Sequence, residues 1–255
     1  MGIQTFERTT TIHAPASELF AWHLRPGAFE RLQAPGDGTR VVSRSGRLED
    51  NTMRVVLSVV ALGPIRQQLH IRHEGFVPDE QFVDVMERGP FASWRHTHRA
   101  EVVDHDTSRL VDRIEYALPL GVLGRIGGGA FVRRMLTRMF DHRHAITQGD
   151  LAVHHAAALE PMHVLVDGPA SDVRDQLVAA LLTGGHHVQS EVEIAGYEPP
   201  AATPPDVAIT LAPGSATIAR TGSATRTVAL DDDPMHDPRT IVGALAELAA
   251  EVSTP

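Results

Sequence analysis

Residues 124–148 read GRIGGGAFVRRMLTRMFDHRHAITQ, the longest helical pattern in the chain. The apolar residues Ile126, Ala130, Phe131, Met135, Met139, Phe140 and Ile146 recur near helical spacing, with Arg125, Arg133, Arg134, Arg138 and Arg143 between them. This spacing predicts one long amphipathic helix with a stripe rich in Phe and Met. Such a stripe either packs as ordinary core or, because the Met side chain is flexible, adapts to a partner or an apolar ligand.

The residues ahead of this helix read as strands. Residues 4–12 alternate Thr with apolar positions, as a half-buried strand does. Short helices are expected at 17–23, after Pro15, and at 28–32, and Ala34-Pro35-Gly36-Asp37-Gly38 closes that segment. Residues 41–42, 53–62, 65–74, 80–87, 91–103 and 109–118 then form strands separated by turn signals such as Gly63-Pro64, Val77-Pro78-Asp79 and Arg88-Gly89-Pro90. Short connectors between so many strands predict an antiparallel meander of six, and the opening strand brings the sheet to seven.

Composition narrows the chemistry. Hydrophobic residues make up 42% and charged residues 22%, the balance of a soluble globular protein. No window is long and apolar enough for a membrane span, and Glu7 and Arg8 interrupt the first apolar stretch, so a cytoplasmic protein without a signal peptide is expected. Cysteine is absent, which excludes disulfides, thiolate metal sites and cysteine nucleophiles. All 23 basic residues are arginine, so Schiff-base catalysis, a phosphate-loop lysine and a Tyr/Lys proton relay are excluded as well. The net charge of −9 is uneven: residues 1–150 balance at +1 and residues 151–255 at −10. This break predicts a domain boundary near residue 150, and neither half has the basic surface of a nucleic-acid binder.

Beyond a helix extension or linker at 151–160, residues 162–167, 170–183 and 187–190 read as strand, helix and strand, a βαβ opening. A Pro-rich gap at 199–205 leads to strands at 207–211, 216–219 and 227–230 and a closing helix at 238–252. Three divisions follow: residues 1–150, 151–160, and a small α/β unit at 161–255.

On strand 91–103, His96 and His98 share a face with Trp94 and Ala100, and the neighbouring strands turn Asp112 and Tyr116, and Phe82, Asp84 and Met86, to the same side. Buried polar groups need partners, so His96 or His98 is expected to bond Asp112, Asp84 or Tyr116. The cluster reads as structural pairing, as ligand orientation, or as a site of metal or acid/base chemistry. A His-x-His pair lacks the third ligand a metal needs, so no metal is assigned. His142 and His144 do not share a helix face and are poor joint ligands.

In its order of elements the chain resembles the START-like (SRPBCC) superfamily. The resemblance covers residues 3–150 and rests on the opening strand with Ile12-His13-Ala14-Pro15-Ala16-Ser17-Glu18-Leu19-Phe20, on Gly89-Pro90-Phe91-Ala92-Ser93-Trp94-Arg95-His96-Thr97-His98, and on Tyr116-Ala117-Leu118-Pro119. More narrowly, Trp22-His23-Leu24-Arg25-Pro26-Gly27-Ala28-Phe29-Glu30-Arg31-Leu32 is similar to the ligand-binding-like domain fused ahead of nucleotide-sugar epimerase-like domains in some bacterial proteins. The resemblance implies an α+β helix-grip fold, a curved antiparallel sheet around a long helix with an apolar cavity between, followed by a small Rossmann-like α/β domain. In the second domain it would place a Gly-x-x-Gly-x-x-Gly turn at Gly168, where only that glycine matches and Ser171 and Arg174 stand at the other two positions. This implies a truncated, degenerate epimerase half without a bound dinucleotide or any other cofactor.

The expected function is non-catalytic binding of a hydrophobic or amphipathic small molecule, as carrier or sensor, with Trp94, His96, His98, Asp112, Tyr116, Phe82, Met86, Phe131, Met135 and Met139 as ligand-binding residues. Two alternatives stay open: a cyclase- or hydrolase-type enzyme using a cavity His with Asp112, and an interaction scaffold whose acidic C-terminal domain docks a protein partner.

Overall fold

Seven strands form the first sheet of the computed structural model, which describes residues 2–34, 38–62, 65–119, 121–157, 159–200, 203–221 and 225–252. The Gly63-Pro64 turn, part of the turn at 34–38 and the side chain of Ile126 lie outside the described residues. The elements are β1 (Gln4–Ile12), α1 (Ala16–Leu24), α2 (Ala28–Arg31), β2 (Arg40–Ser45), β3 (Arg54–Leu62), β4 (Ile65–Val77), β5 (Gln81–Arg88), β6 (Ser93–Val102), β7 (Ser108–Ala117) and α3 (Gly121–Ala157). The strand order is β1-β7-β6-β5-β4-β3-β2 with antiparallel pairing throughout, so the chain meanders β2 to β7 and β1 closes on the last strand. Register shifts at Val41/Ser43, His70/Ile71 and Glu74/Val77 add bulges, which bend a sheet and increase its twist. A large bulged antiparallel sheet with few helices and one long helix is consistent with a helix-grip arrangement.

The chain divides into two compact units: residues 1–21 with 36–145, and residues 22–35 with 146–255. Residues 22–35, expected with the first domain, belong to the second unit. The reason is packing: Gly27 adopts φ 87 and lies so close to Ala179 that an added Cβ would stand 2.8 Å from its carbonyl oxygen. Only glycine meets both conditions.

In the first unit Phe6, Ile114, Tyr116 and Leu118 of the sheet region pack with Val132, Leu136 and Phe140 of α3, with Phe91, Trp94 and Met139 at the edge of the cluster. Of the expected stripe the helix buries Phe140 and Ile146, but the face it presents is turned from the one read at Phe131 and Met135. Phe131 and Met135 are exposed, at 66% and 40%, and Met139 is half-buried. Phe131 and Met135 sit one position before Val132 and Leu136, a rotation of about 100° at 3.6 residues per turn. The row 132, 136, 140, 144 is what meets the sheet. The helix also runs unbroken to Ala157, so of the two readings for the residues after 150 it is the helix extension that forms.

The second unit adds β8 (His163–Asp167), α4 (Asp172–Thr183), β9 (His187–Gln189), β10 (Val207–Ala212), β11 (Ser215–Arg220), β12 (Thr225–Ala229) and α5 (Asp237–Val252). Its sheet order is β12-β11-β10-β8-β9, with β8 parallel to both β9 and β10 and the β10–β11–β12 segment antiparallel. Val164, Val166, Ile209, Leu211 and Ile218 pack against Leu177, Leu181, Ile241 and Leu245 of the two helices. On the other face Leu165, Asp167, Thr210 and Ala212 are exposed. This is a two-layer α/β unit, whereas doubly wound sheets carry helices on both faces. Arg31 is fully buried here and places all five guanidinium N–H groups: Nε and Nη2 on the Asp150 carboxylate, Nη1 on Gln176 Oε1 and the Pro234 carbonyl, and Nη2 also on the Met235 carbonyl. Arg239 Nε adds a second cation at 2.9 Å from Asp150.

Candidate functional site

Cross-strand register assembles the site. Residues directly opposite in an antiparallel pair share a face, and the register runs His73↔Asp84↔His96↔Ile114↔Phe6 in one row and Phe82↔His98↔Asp112 in the next. Phe6 and Ile114 lie beneath α3, so both rows face the helix. Two histidines spaced by two on β6 are thereby set between carboxylates on β5 and β7.

Asp112 is the centre. Its Oδ1 accepts from His96 Nε2 at 2.7 Å and stands 2.9 Å from His98 Nδ1, and its Oδ2 accepts from His144 Nε2 at 2.8 Å. His144 is in turn held at Nδ1 by the Thr10 hydroxyl at 2.8 Å. Asp84 takes the other side of His98, with Nε2 to Oδ2 at 3.3 Å, and His73 Nε2 stands 3.0 Å from Asp84 Oδ1. His96, Asp112 and His144 are buried, and His73, Asp84 and His98 are nearly so.

Burial and charge act against each other in this cluster. For Asp112, burial favours the protonated form, but the His98 charge and the bonds from His144, His96 and His98 outweigh it and hold the carboxyl well below its usual range. Asp84 is likewise opposed by burial and held low by His73 and His98. Burial would lower His98, yet the Asp112 charge and bonds to both carboxylates push it up to about 9. His96 moves the other way, lowered by burial and then by the charge on His98. The result is two carboxylates, a protonated His98 and a neutral His96 in contact.

Aromatic rings wall the cluster. Phe82 stacks on His98 at 4.3 Å between ring centroids, Phe140 meets His96 edge-on at 5.2 Å, and Trp94 lies 6.5 Å from His96 and 6.2 Å from Tyr116. Of the residues expected from the sequence, Trp94, His96, His98, Asp112, Tyr116 and Phe82 share one face of the sheet. Met86 on β5 is half-buried and Met139 lies at the edge of the core, while Phe131 and Met135 point away. The expected bonds from the histidines go to both acids. Three contributors were missed. His73 has the right strand parity and was readable from the alternation in β4; Thr10 and His144 meet only through tertiary packing, since His144 enters as a single helix residue four positions after Phe140.

No protein-family model and no curated protein matches the chain. Among solved structures, the nucleoside-diphosphate sugar epimerase from Corynebacterium glutamicum is similar over 81% of this chain at 24% identity with a TM-score of 0.59. This chain spans 45% of that protein. A START superfamily protein from Mycobacterium smegmatis is 14% identical over 59% of this chain and 98% of its own, with a TM-score of 0.45. The Zhui aromatase/cyclase from Streptomyces sp. R1128 is 15% identical over 62% and 98%, also at 0.45. The chain thus has START-superfamily and epimerase structures among its neighbours, and at 24% identity the likeness to the epimerase is one of fold.

Proposed function

We propose that the first unit binds a small hydrophobic or amphipathic molecule, as a carrier or sensor, on the sheet face that carries the His/Asp cluster. The observation that carries this reading is the cluster itself, buried among Phe82, Trp94, Tyr116 and Phe140. Buried ion pairs are commonly no more stabilising than packed apolar residues of the same volume. A few fixed polar groups among aromatic walls are instead what an amphipathic ligand requires, the walls for its body and the polar groups for its orientation.

The second unit is read as a reduced Rossmann-like half that holds no dinucleotide. Its loop is closed by its own side chains: Asp167 Oδ1 accepts from the Gly168 amide, Ser171 Oγ caps α4 at the Arg174 amide, and Arg174 Nη1 donates to the Gly168 carbonyl. The acidic balance of residues 151–255 makes this unit the candidate surface for a protein partner.

Native mass spectrometry of the full chain, beside the same sample after denaturation, tests both readings. A small apolar molecule released on unfolding supports the first. A released nicotinamide dinucleotide overturns the second. If nothing leaves and no compound from an aromatic and fatty-acid panel raises the melting temperature, the binding reading fails. Turnover of a bound compound that His96→Gln abolishes would replace the carrier with an enzyme.

A further inference from the structure

Asp84 on β5 and His96 and His98 on β6 each offer a ligand atom, and these atoms all lie within 4.8 Å of one another. The geometry points to a binding site for a divalent transition-metal ion of the zinc class, ligated by Asp84, His96 and His98, with a fourth position open to water or to a donor atom of a bound molecule. The inference stands apart from the ligand reading, because an ion can be held there whether or not an organic molecule is.

Four features support it, the first being a donor set and a spacing that suit such an ion. The donor set, two imidazoles and one carboxylate, suits zinc, cobalt, nickel or copper and not calcium or magnesium, which need oxygen ligands. The 3.3 Å between His98 Nε2 and Asp84 Oδ2 is long for a hydrogen bond between charged groups, about 2.7–2.9 Å. It matches the roughly 3.3 Å that separates two ligand atoms on a tetrahedral ion with bonds of about 2.0 Å. The second support is orientation. Asp112 takes Nε2 of His96 and Nδ1 of His98, so the opposite nitrogen of each ring is the one a metal would take, and at His98 the ion would replace the Nε2 proton now shared with Asp84, which passes to solvent. Ligating histidines characteristically give their other nitrogen to a carboxylate, which sets ring angle and tautomer. Third, Asp112 is itself fixed through His144 and Thr10, so the orienting group cannot swing away. Fourth, Asp84 Oδ1 is buried without a hydrogen bond, although His73 Nε2 stands 3.0 Å from it as a poorly aligned ion-pair contact. A cation beside Asp84 would satisfy the carboxylate that the protein alone leaves incompletely bonded.

The test uses the full chain stripped with a chelator and titrated with Co2+ and then Zn2+. One equivalent of Co2+ should bind with visible d–d absorption and be displaced by Zn2+. Asp84→Asn and His98→Gln, each checked for native circular dichroism, should weaken Co2+ binding by at least about 100-fold, while His105→Ala, at a fully solvated histidine, should leave it unchanged. Electron paramagnetic resonance of the Cu2+-loaded native chain should show hyperfine coupling from two imidazole nitrogens, and it decides the matter should a variant fail to fold. Absence of stoichiometric binding, binding undiminished in both folded variants, or a Cu2+ spectrum without imidazole coupling would each overturn the inference.

Discussion

Asp112 accepts from three histidines, and this concentration of partners makes it the most consequential single residue of the first unit. Asp112→Asn removes the negative charge that faces a protonated His98 and is expected to cost about 3–5 kcal/mol, the scale for breaking one side of a buried pair. A urea denaturation midpoint unchanged from the native chain would contradict the charge assignment. Arg31 plays the matching part in the second unit. Since all five of its donors are placed, Arg31→Lys cannot reproduce the fork and should lose roughly 3 kcal/mol, nearly as much as Arg31→Met. Full rescue by lysine would show that charge alone matters there.

At the scale of elements, α3 is where sequence and structure part. Phe140 was in the expected stripe, but its buried partners Val132 and Leu136 are smaller or no larger than the exposed Phe131 and Met135 beside them, so hydrophobic content alone rotates the first half of the stripe to the wrong face. Leu136→Ala is expected to destabilise by about 2–5 kcal/mol, whereas Phe131→Ser should change stability by less than about 0.5 kcal/mol. Comparable losses from the two substitutions would return the helix to the face read from the sequence. The strands behave otherwise, since alternation of period two assigns each residue to one of only two faces. His96, His98, Asp84 and Asp112 were therefore correctly grouped, and His73 was within reach of the same argument.

For the whole molecule, the interleaving of residues 22–35 with the second unit limits how the chain can be divided. A fragment of residues 151–255 lacks both Arg31 and Asp150, and with them the Gly27 segment that packs on α4, and is expected to show no cooperative unfolding transition by circular dichroism. The second unit also carries an acid sensitivity. Burial pushes His154 and His186 down to about 4; Arg25 lowers both, Arg31 lowers His154 against the opposing Asp150, and His154 and His187 lower His186. Their folded forms are neutral while the unfolded chain takes up protons near 6.5. The stability these two groups contribute is therefore complete above about pH 6.5 and declines as the pH falls toward about 4. Each unit holds one of the two tryptophans, Trp94 in the first and Trp22 in the second, so Trp94→Phe leaves a fluorescence signal from the second alone. A denaturation midpoint of that variant that stays flat across this range would refute the expectation.

The sequence by itself determined the seven-strand meander, the long helix after it, the βαβ opening of the second half and the face shared by the central histidines. Each of these rests on local periodicity and turn chemistry, which depend on residues near one another in the chain. Only the tertiary structure decided that Val132 and not Phe131 meets the sheet, that His144 and Thr10 complete the Asp112 network, and that residues 22–35 join Asp150 and α4 across more than a hundred residues. Those outcomes are chosen by packing and by the need of buried charges for partners. Neither demand is expressed in the spacing of neighbouring residues.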